Sequence, residues 1–450
     1  MSLRKLFNFF NLSILLVFLI AFWIDYHREW KIYQRAYYQK TADSLGKKLA
    51  TLSDPEQKKA LKTQIKFWRK HPLEIKQIIA KDLGRVDRCI TCHVAMDEFT
   101  NPSLTSDIPE NPYKAHPDLA VLVKNHPLQK YGCTTCHAGQ GLSTTLEEAH
   151  YKVTEGHTVV WEEPILKQPY IQASCAKCHA DFEKLRGAEM AALGKDLFQK
   201  HGCIGCHQLK GVGGVISVDL GDIADKPLAR IAPHNFEEAG VPHDKYSVQS
   251  WIEAHLTKDP MDFVSNDPLG KFNAEPIAPS GMPPYYKELK EKEAKALTTY
   301  LLSLSNKSIP KDYYVYASPK PEPNFNNAVE HGKYVFNKYG CQGCHGMDAK
   351  LGRRNFNALG PGQDSSKPWE IEEMAKGQEP TLVDVVGTYT RGELKKKIQD
   401  GVPASSLAKF NPDGPIPPLY MPSWREKIKG QELEDLVSYL LSIAKKQESW

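Results

Sequence analysis

All ten cysteines of this 450-residue chain are spent in one pattern, used five times. They form Cys89-x-x-Cys92-His93, Cys133-x-x-Cys136-His137, Cys175-x-x-Cys178-His179, Cys203-x-x-Cys206-His207 and Cys341-x-x-Cys344-His345. On a helical turn, two thiols three positions apart can each add to one vinyl group of a haem. The histidine that follows then lies under the iron as its proximal ligand. Five matches with no cysteine left over predict five covalently bound haem c groups. The rival readings fit poorly. A zinc site pairs two Cys-x-x-Cys units and needs no histidine after each. A thioredoxin-like pair belongs to a strand–helix context and does not recur five times. Disulfides come at varied spacings.

Each iron needs a sixth ligand. His207 lies 75 residues before Met282, and His345 lies 76 before Met421. Both methionines stand beside proline, in Gly281-Met282-Pro283-Pro284 and Tyr420-Met421-Pro422-Ser423. Matching offsets make these two the expected ligands, although a methionine can also be simple packing. Met261 and Met374 occupy no equivalent positions. The segment with the other three sites has no Met-Pro loop, so histidine is the expected partner there. His116, His126 and His150 are favoured, with His71 and His157 as alternatives and Met96 sterically awkward behind His93. His201, His234, His243, His255 and His331 are read as surface residues.

The elements that position these groups are mainly helical. Residues 187–306 and 328–446 repeat one unit: Gly194-Lys195-Asp196-Leu197-Phe198 leads into Cys203, and Gly332-Lys333-Tyr334-Val335-Phe336 leads into Cys341. Each unit closes with an amphipathic helix, Ala294–Leu304 and Leu433–Ile443, containing Tyr-Leu-Leu-Ser. Two copies of one domain is the economical explanation. Prolines 310, 319, 321 and 323 between them predict a stiff extended linker over 307–327. Residues 81–186 are rich in Cys and His and poor in periodic apolar runs, so their core would be the cofactors themselves and their regular structure slight. Residues 26–80 read as a helical stalk, with a helix starting at Ser53-Asp54-Pro55-Glu56 and Leu61, Ile65 and Trp68 on one face. Trp30, Tyr33, Tyr37 and Tyr38 suit a membrane interface or helix packing against a partner subunit.

Residues 1–25 carry an uncharged run from Leu6 to Ile24, close to the ~20 residues that span hydrocarbon as a helix. No small-x-small cleavage site follows it, so an uncleaved anchor is expected rather than a signal peptide. Haem is attached outside the bacterial plasma membrane, which places residues 25–450 on the periplasmic side of a single-pass inner-membrane protein. The net charge of +4 is too small to point to nucleic acid. Residues 1–80 hold 15 Lys+Arg against 6 Asp+Glu, a basic balance beside the anchor that suits anionic lipid.

On the Gly-x-x-x-Phe entry, the attachment site, the Met-Pro loop and the closing Tyr-Leu helix, the two C-terminal units resemble class I cytochromes c. The stretch His126-Pro127…Gly132-Cys133-Thr134-Thr135-Cys136-His137-Ala138-Gly139-Gln140-Gly141, with Ala149-His150, Trp161-Glu162-Glu163-Pro164 and Ser174-Cys175, is similar to triple-haem modules of bacterial respiratory complexes. That resemblance implies cytochrome b and Rieske-type quinol-oxidising subunits as partners. It also implies a non-catalytic electron-transfer subunit, passing electrons to a periplasmic acceptor such as a soluble cytochrome c or an oxidase. The three-plus-two arrangement of sites matches no single family. The alternative is a reductase of a small molecule such as nitrite or peroxide at one open haem; nothing in the ligand supply requires it.

Overall fold

In a computed structural model, the first helix follows directly from the apolar run. It spans Leu3–Tyr26, long and apolar enough to cross a membrane, with mean hydropathy 2.2 and none of its residues buried. A signal sequence meets the same criteria. The residues described are 2–150, 163–231, 233–258, 281–317, 323–350, 355, 357–358, 381–409, 412–413 and 416–445. Among the described residues helix dominates, and strand is confined to two short antiparallel hairpins. The chain divides into two compact units, Met1–Leu166 and Lys167–Trp450.

In the first unit, helices Glu29–Thr51 and Pro55–Lys70 pack on each other. The second starts as its sequence predicts: Asp54 accepts from the Glu56 N–H at 2.9 Å, and Pro55 occupies the first turn, where its missing N–H costs nothing. The aromatic residues have a different role from the interfacial one the sequence allowed. Trp30, Tyr37 and Tyr38 are buried within the unit, where Tyr37 meets Trp68 edge-on at 5.6 Å. Tyr37, Tyr38 and Trp68 share a cluster with Val94, Ala95, Ile108 and Tyr113. The reason is the short residues just after His93, which leave room for rings. The stalk is therefore a wall of the first attachment site. Gln34, fully buried, confirms the join by donating to the Glu74 and Thr91 carbonyls at 2.7 and 2.9 Å.

The hairpin Ile78–Ala80 with Arg85–Asp87 turns at Gly84, whose φ of 61° favours glycine, and delivers the chain to Cys89. Below it lies a small core of Ile78, Ile90, Leu104 and Leu128, with Met96 packed against it.

The second unit contains the repeat. Entry helix Glu189–Lys200 crosses closing helix Glu291–Leu301, and Ala328–Lys338 crosses Gly430–Ile443 in the same way. Gly194 and Gly332 sit at the two crossings. A Cβ there would run into the backbone of Ala296 and of Asp435 respectively. Beside each glycine the same aromatic pair recurs: Phe198 meets Tyr300, and Phe336 meets Tyr439, both edge-on at 5.6 Å. Such pairs contribute roughly 0.5–1.5 kcal/mol beyond their burial.

The linker departs from the stiff spacer its prolines predict. Pro319 and Pro321 lie outside the described residues, but the preceding part folds back within the unit. Lys311–Tyr313 makes a turn, Tyr313 is buried, and the Val315 N–H donates to the Cys178 carbonyl at 2.9 Å while its carbonyl accepts from the Ala180 N–H at 2.9 Å. His179 is extended and cannot pair its neighbours' backbone groups by itself, so Val315 satisfies them.

Candidate haem sites

The five Cys-x-x-Cys-His sequences fold as the same turn. In each, the histidine N–H donates to the carbonyl of the first cysteine, at 2.8 Å for His93, 3.0 Å for His137 and 2.9 Å for His179, His207 and His345. This i to i−4 closure places both thiols and the imidazole on one side of a single helical turn. None of the ten cysteines is disulfide-bonded, and all are half-buried. Burial pushes the Cys92 and Cys341 thiols up to about 12. The Cys89 thiol beside it, together with burial, raises the pKa of Cys133, so the first two sites adjoin.

Four of the five proximal histidines are held toward the neutral form, the form that binds metal. Burial lowers His93 and His345 to about 4, and lowers His137 and His207 as well. His207 donates from Nδ1 to the Val218 carbonyl at 3.0 Å, which leaves Nε2 as the lone-pair nitrogen. His345 Nδ1 is buried with no hydrogen-bond partner among the described residues.

Two of the three favoured histidines face a proximal one. His150 lies opposite His93 with ring centroids 6.1 Å apart, and His116 lies opposite His137 at 6.0 Å. At metal–imidazole distances of about 2.0–2.1 Å, two imidazoles holding one metal ion would stand roughly 6 Å apart, the spacing of both pairs. Each facing ring is also oriented through Nδ1, His150 on the Leu146 carbonyl at 3.0 Å and His116 on the Pro117 carbonyl at 2.6 Å. The third, His126, packs edge-on against Tyr131 at 5.0 Å and is lowered by burial. His71 instead packs among Tyr38, Phe67 and Trp68, with Thr100 Oγ1 3.4 Å from its Nε2. His157 lies outside the described residues.

Met421 packs against the same core cluster as Cys341, and its carbonyl accepts from the Val402 N–H at 2.8 Å. Asn355, buried, holds the Met421 loop in place: its side-chain amide donates to the Leu419 carbonyl at 2.7 Å and accepts from the Leu419 N–H at 3.0 Å. Met282 is half-buried in its Pro-flanked loop. Met261, Met374 and the side chain of His234 lie outside the described residues.

Three of the histidines read as surface residues are half-buried and packed against neighbours. His255 donates from Nδ1 to the Trp251 carbonyl at 2.8 Å and is pushed down to about 4, first by burial and further by His207 nearby. His331 pairs with Asp435 at 2.7 Å, tying entry to closing helix, and His201 packs against Tyr285 with Glu288 beside it. A histidine on a helix that faces its own domain is drawn inward by the packing of that face, which composition does not reveal; His243 is exposed as expected.

Sequence reading also missed Asp87, which is buried at 1% exposure two residues before Cys89. It accepts from the Cys133 and Thr134 N–H groups at 2.5 and 2.9 Å and from the Thr134 hydroxyl at 2.7 Å, capping the turn Thr134–His137.

Paired helical domains that each close a Cys-x-x-Cys-His turn between crossed entry and closing helices define a covalent haem protein. The Cytochrome c family model matches residues 191–305 and 329–444, just over half of the chain. The chain belongs to the cytochrome c family, whose domains carry haem c covalently and transfer electrons. No curated protein and no solved structure matches it.

Proposed function

We propose that this protein is a membrane-anchored pentahaem cytochrome c that relays electrons on the periplasmic side of a bacterial inner membrane. The observation that carries the reading is the common closure of all five attachment turns at 2.8–3.0 Å, which gives the three sites outside the matched domains the same local geometry as the two inside them. The residues assigned to hold the haems are the ten cysteines, with His93, His137, His179, His207 and His345 as proximal ligands. Met282 and Met421 complete the two C-terminal sites, and His150 and His116 complete the first and second. His126 is the proposed partner in the remaining set. When bound, haem supplies a one-electron centre; the chain's part is to hold it in a dry site, fix the ligand tautomers and set the potentials.

Paired histidines favour lower potentials than histidine with methionine. Electrons therefore enter at the N-terminal sites and leave from the C-terminal domains. The proposed donor is a cytochrome b or Rieske-type quinol-oxidising complex, and the acceptor a soluble cytochrome or an oxidase. The test is a pyridine haemochrome assay of the mature protein followed by redox titration. Five haem equivalents, with the lower potentials assigned to residues 81–186, are expected. Two equivalents, or a reversed order of potentials, would overturn the proposal.

A further inference from the structure

The attachment turns of the two cytochrome c domains lie backbone against backbone. A Cβ built on Gly205 would collide with the Gly340 carbonyl, and one on Gly343 with the Gly202 carbonyl. The reverse holds too: Gly340 abuts the Gly205 nitrogen and Gly202 the Gly343 nitrogen. The repeat offset of 138 residues makes Gly202 the counterpart of Gly340 and Gly205 the counterpart of Gly343. The two contacts therefore exchange under a pseudo-twofold rotation, like an isologous dimer interface made within one chain.

Two of these glycines have a local explanation. Gly202 and Gly340, with φ of 68° and 75°, end their entry helices in the left-handed conformation that favours glycine. Gly205 and Gly343 have none. Neither is left-handed, and the three atoms nearest a Cβ on either one belong to the opposite turn. The other attachment sites hold Ile90-Thr91, Thr134-Thr135 and Ala176-Lys177 between their cysteines, so the turn itself does not require glycine.

Further contacts surround the glycines. Gln342 donates to the Gln199 carbonyl at 2.6 Å, Gln199 to the Asn337 carbonyl, and Lys427 to the Gly213 carbonyl. Next to Met282, a Cβ on Gly281 would stand 3.1 Å from Leu419 and 3.3 Å from Pro418, close before Met421. The pseudo-twofold thus brings together the methionine loops as well as the attachment turns.

We propose that the four glycines form a knuckle that locks the two domains into one redox unit and is the contact across which they exchange electrons. One electron leaves the reduced domain and reduces the oxidised one; no bond forms and no proton moves. The domains then act as a fixed pair, and the linker is not what sets their separation. This rests on the haem of the two matched domains and not on the count of five.

The test uses the mature full-length protein with a specific protease site inserted within residues 318–322. After cleavage the halves are expected to co-elute on size exclusion; their separation would overturn the proposal whatever any variant does. The variant Gly205→Val with Gly343→Val should let the cleaved halves part. In the uncut variant, electron equilibration between the domains after photoreduction should slow at least tenfold, with haem content and the methionine-ligand absorption retained. Equilibration at the native rate in that variant would also overturn it. Should the double variant lose haem, Gln342→Ala with Lys427→Ala carries the same two readouts.

Discussion

Asp87 accepts from the backbone N–H of Thr134 at 2.9 Å, so the residue just ahead of one attachment site caps the turn of the next. Three donors converge on this buried carboxylate. Asp87→Ala would strand them, and buried donors left unmade cost about 1–3 kcal/mol. The expected result is a lower unfolding midpoint of the mature protein with the C-terminal domains intact, followed by circular dichroism and by haem stain of proteolytic fragments. Unchanged stability would mean that solvent replaces the carboxylate and that the two sites are not joined through it.

The ring pairs His93–His150 and His116–His137 predict which irons change when a distal ligand is removed. His150→Ala and His116→Ala should each open one haem of the five, seen as a partial low-spin to high-spin conversion and as carbon monoxide binding in the reduced state. His150→Met should instead raise one potential by on the order of 0.1 V, within the roughly 0.8 V that axial ligands command. A spectrum identical to that of the parent protein in all three variants would show that other residues occupy these positions.

Acid stability should depend on Glu432. Burial opposes its ionisation, but the hydrogen bonds from Lys338 at 2.6 Å and Tyr339 at 2.8 Å outweigh it and hold the carboxyl below its usual value of 4.5. A carboxyl depressed in the folded state contributes stability that is present above the unfolded value and is lost as pH falls through the folded one. The parent should therefore lose stability as pH falls below about 4.5. Glu432→Gln should be less stable at pH 7 and show a shallower loss on the acid side. Parallel stability–pH curves for the two proteins would remove this pairing from the account.

The helix Leu3–Tyr26 is expected to stay on the mature protein as its anchor. N-terminal sequencing of membrane-extracted material should find the residues before Leu6. Replacing residues 1–26 with a cleavable export signal should release a haem-loaded protein into the soluble periplasmic fraction. A native N-terminus beginning beyond Tyr26 would identify the helix as a signal sequence instead.

Residues whose role is local were legible from spacing. Cys203, Cys206 and His207 lie within one turn, and the chemistry that joins them to a haem needs nothing more distant. The Asp54-Pro55 helix start and the Gly194 and Gly332 repeat were visible for the same reason. His150 was among the favoured histidines, but its partner was not readable, because 57 residues separate it from His93. Asn355 and Asp87 gave no signal at all: an isolated Asn or Asp is ordinary until the fold closes a backbone segment over it.

The attachment motifs, the repeated helical domain and the apolar N-terminal helix are encoded in contiguous residues or in a short period and can be read directly from the chain. Which imidazoles lie near each other, that Tyr37 and Trp68 are core, and that Gly205 and Gly343 are contact points between domains emerge with the folded arrangement. Those depend on where distant segments meet, and close packing allows few arrangements there, so a missing Cβ or a ring 6 Å from another becomes meaningful only once both sides of the contact are in place.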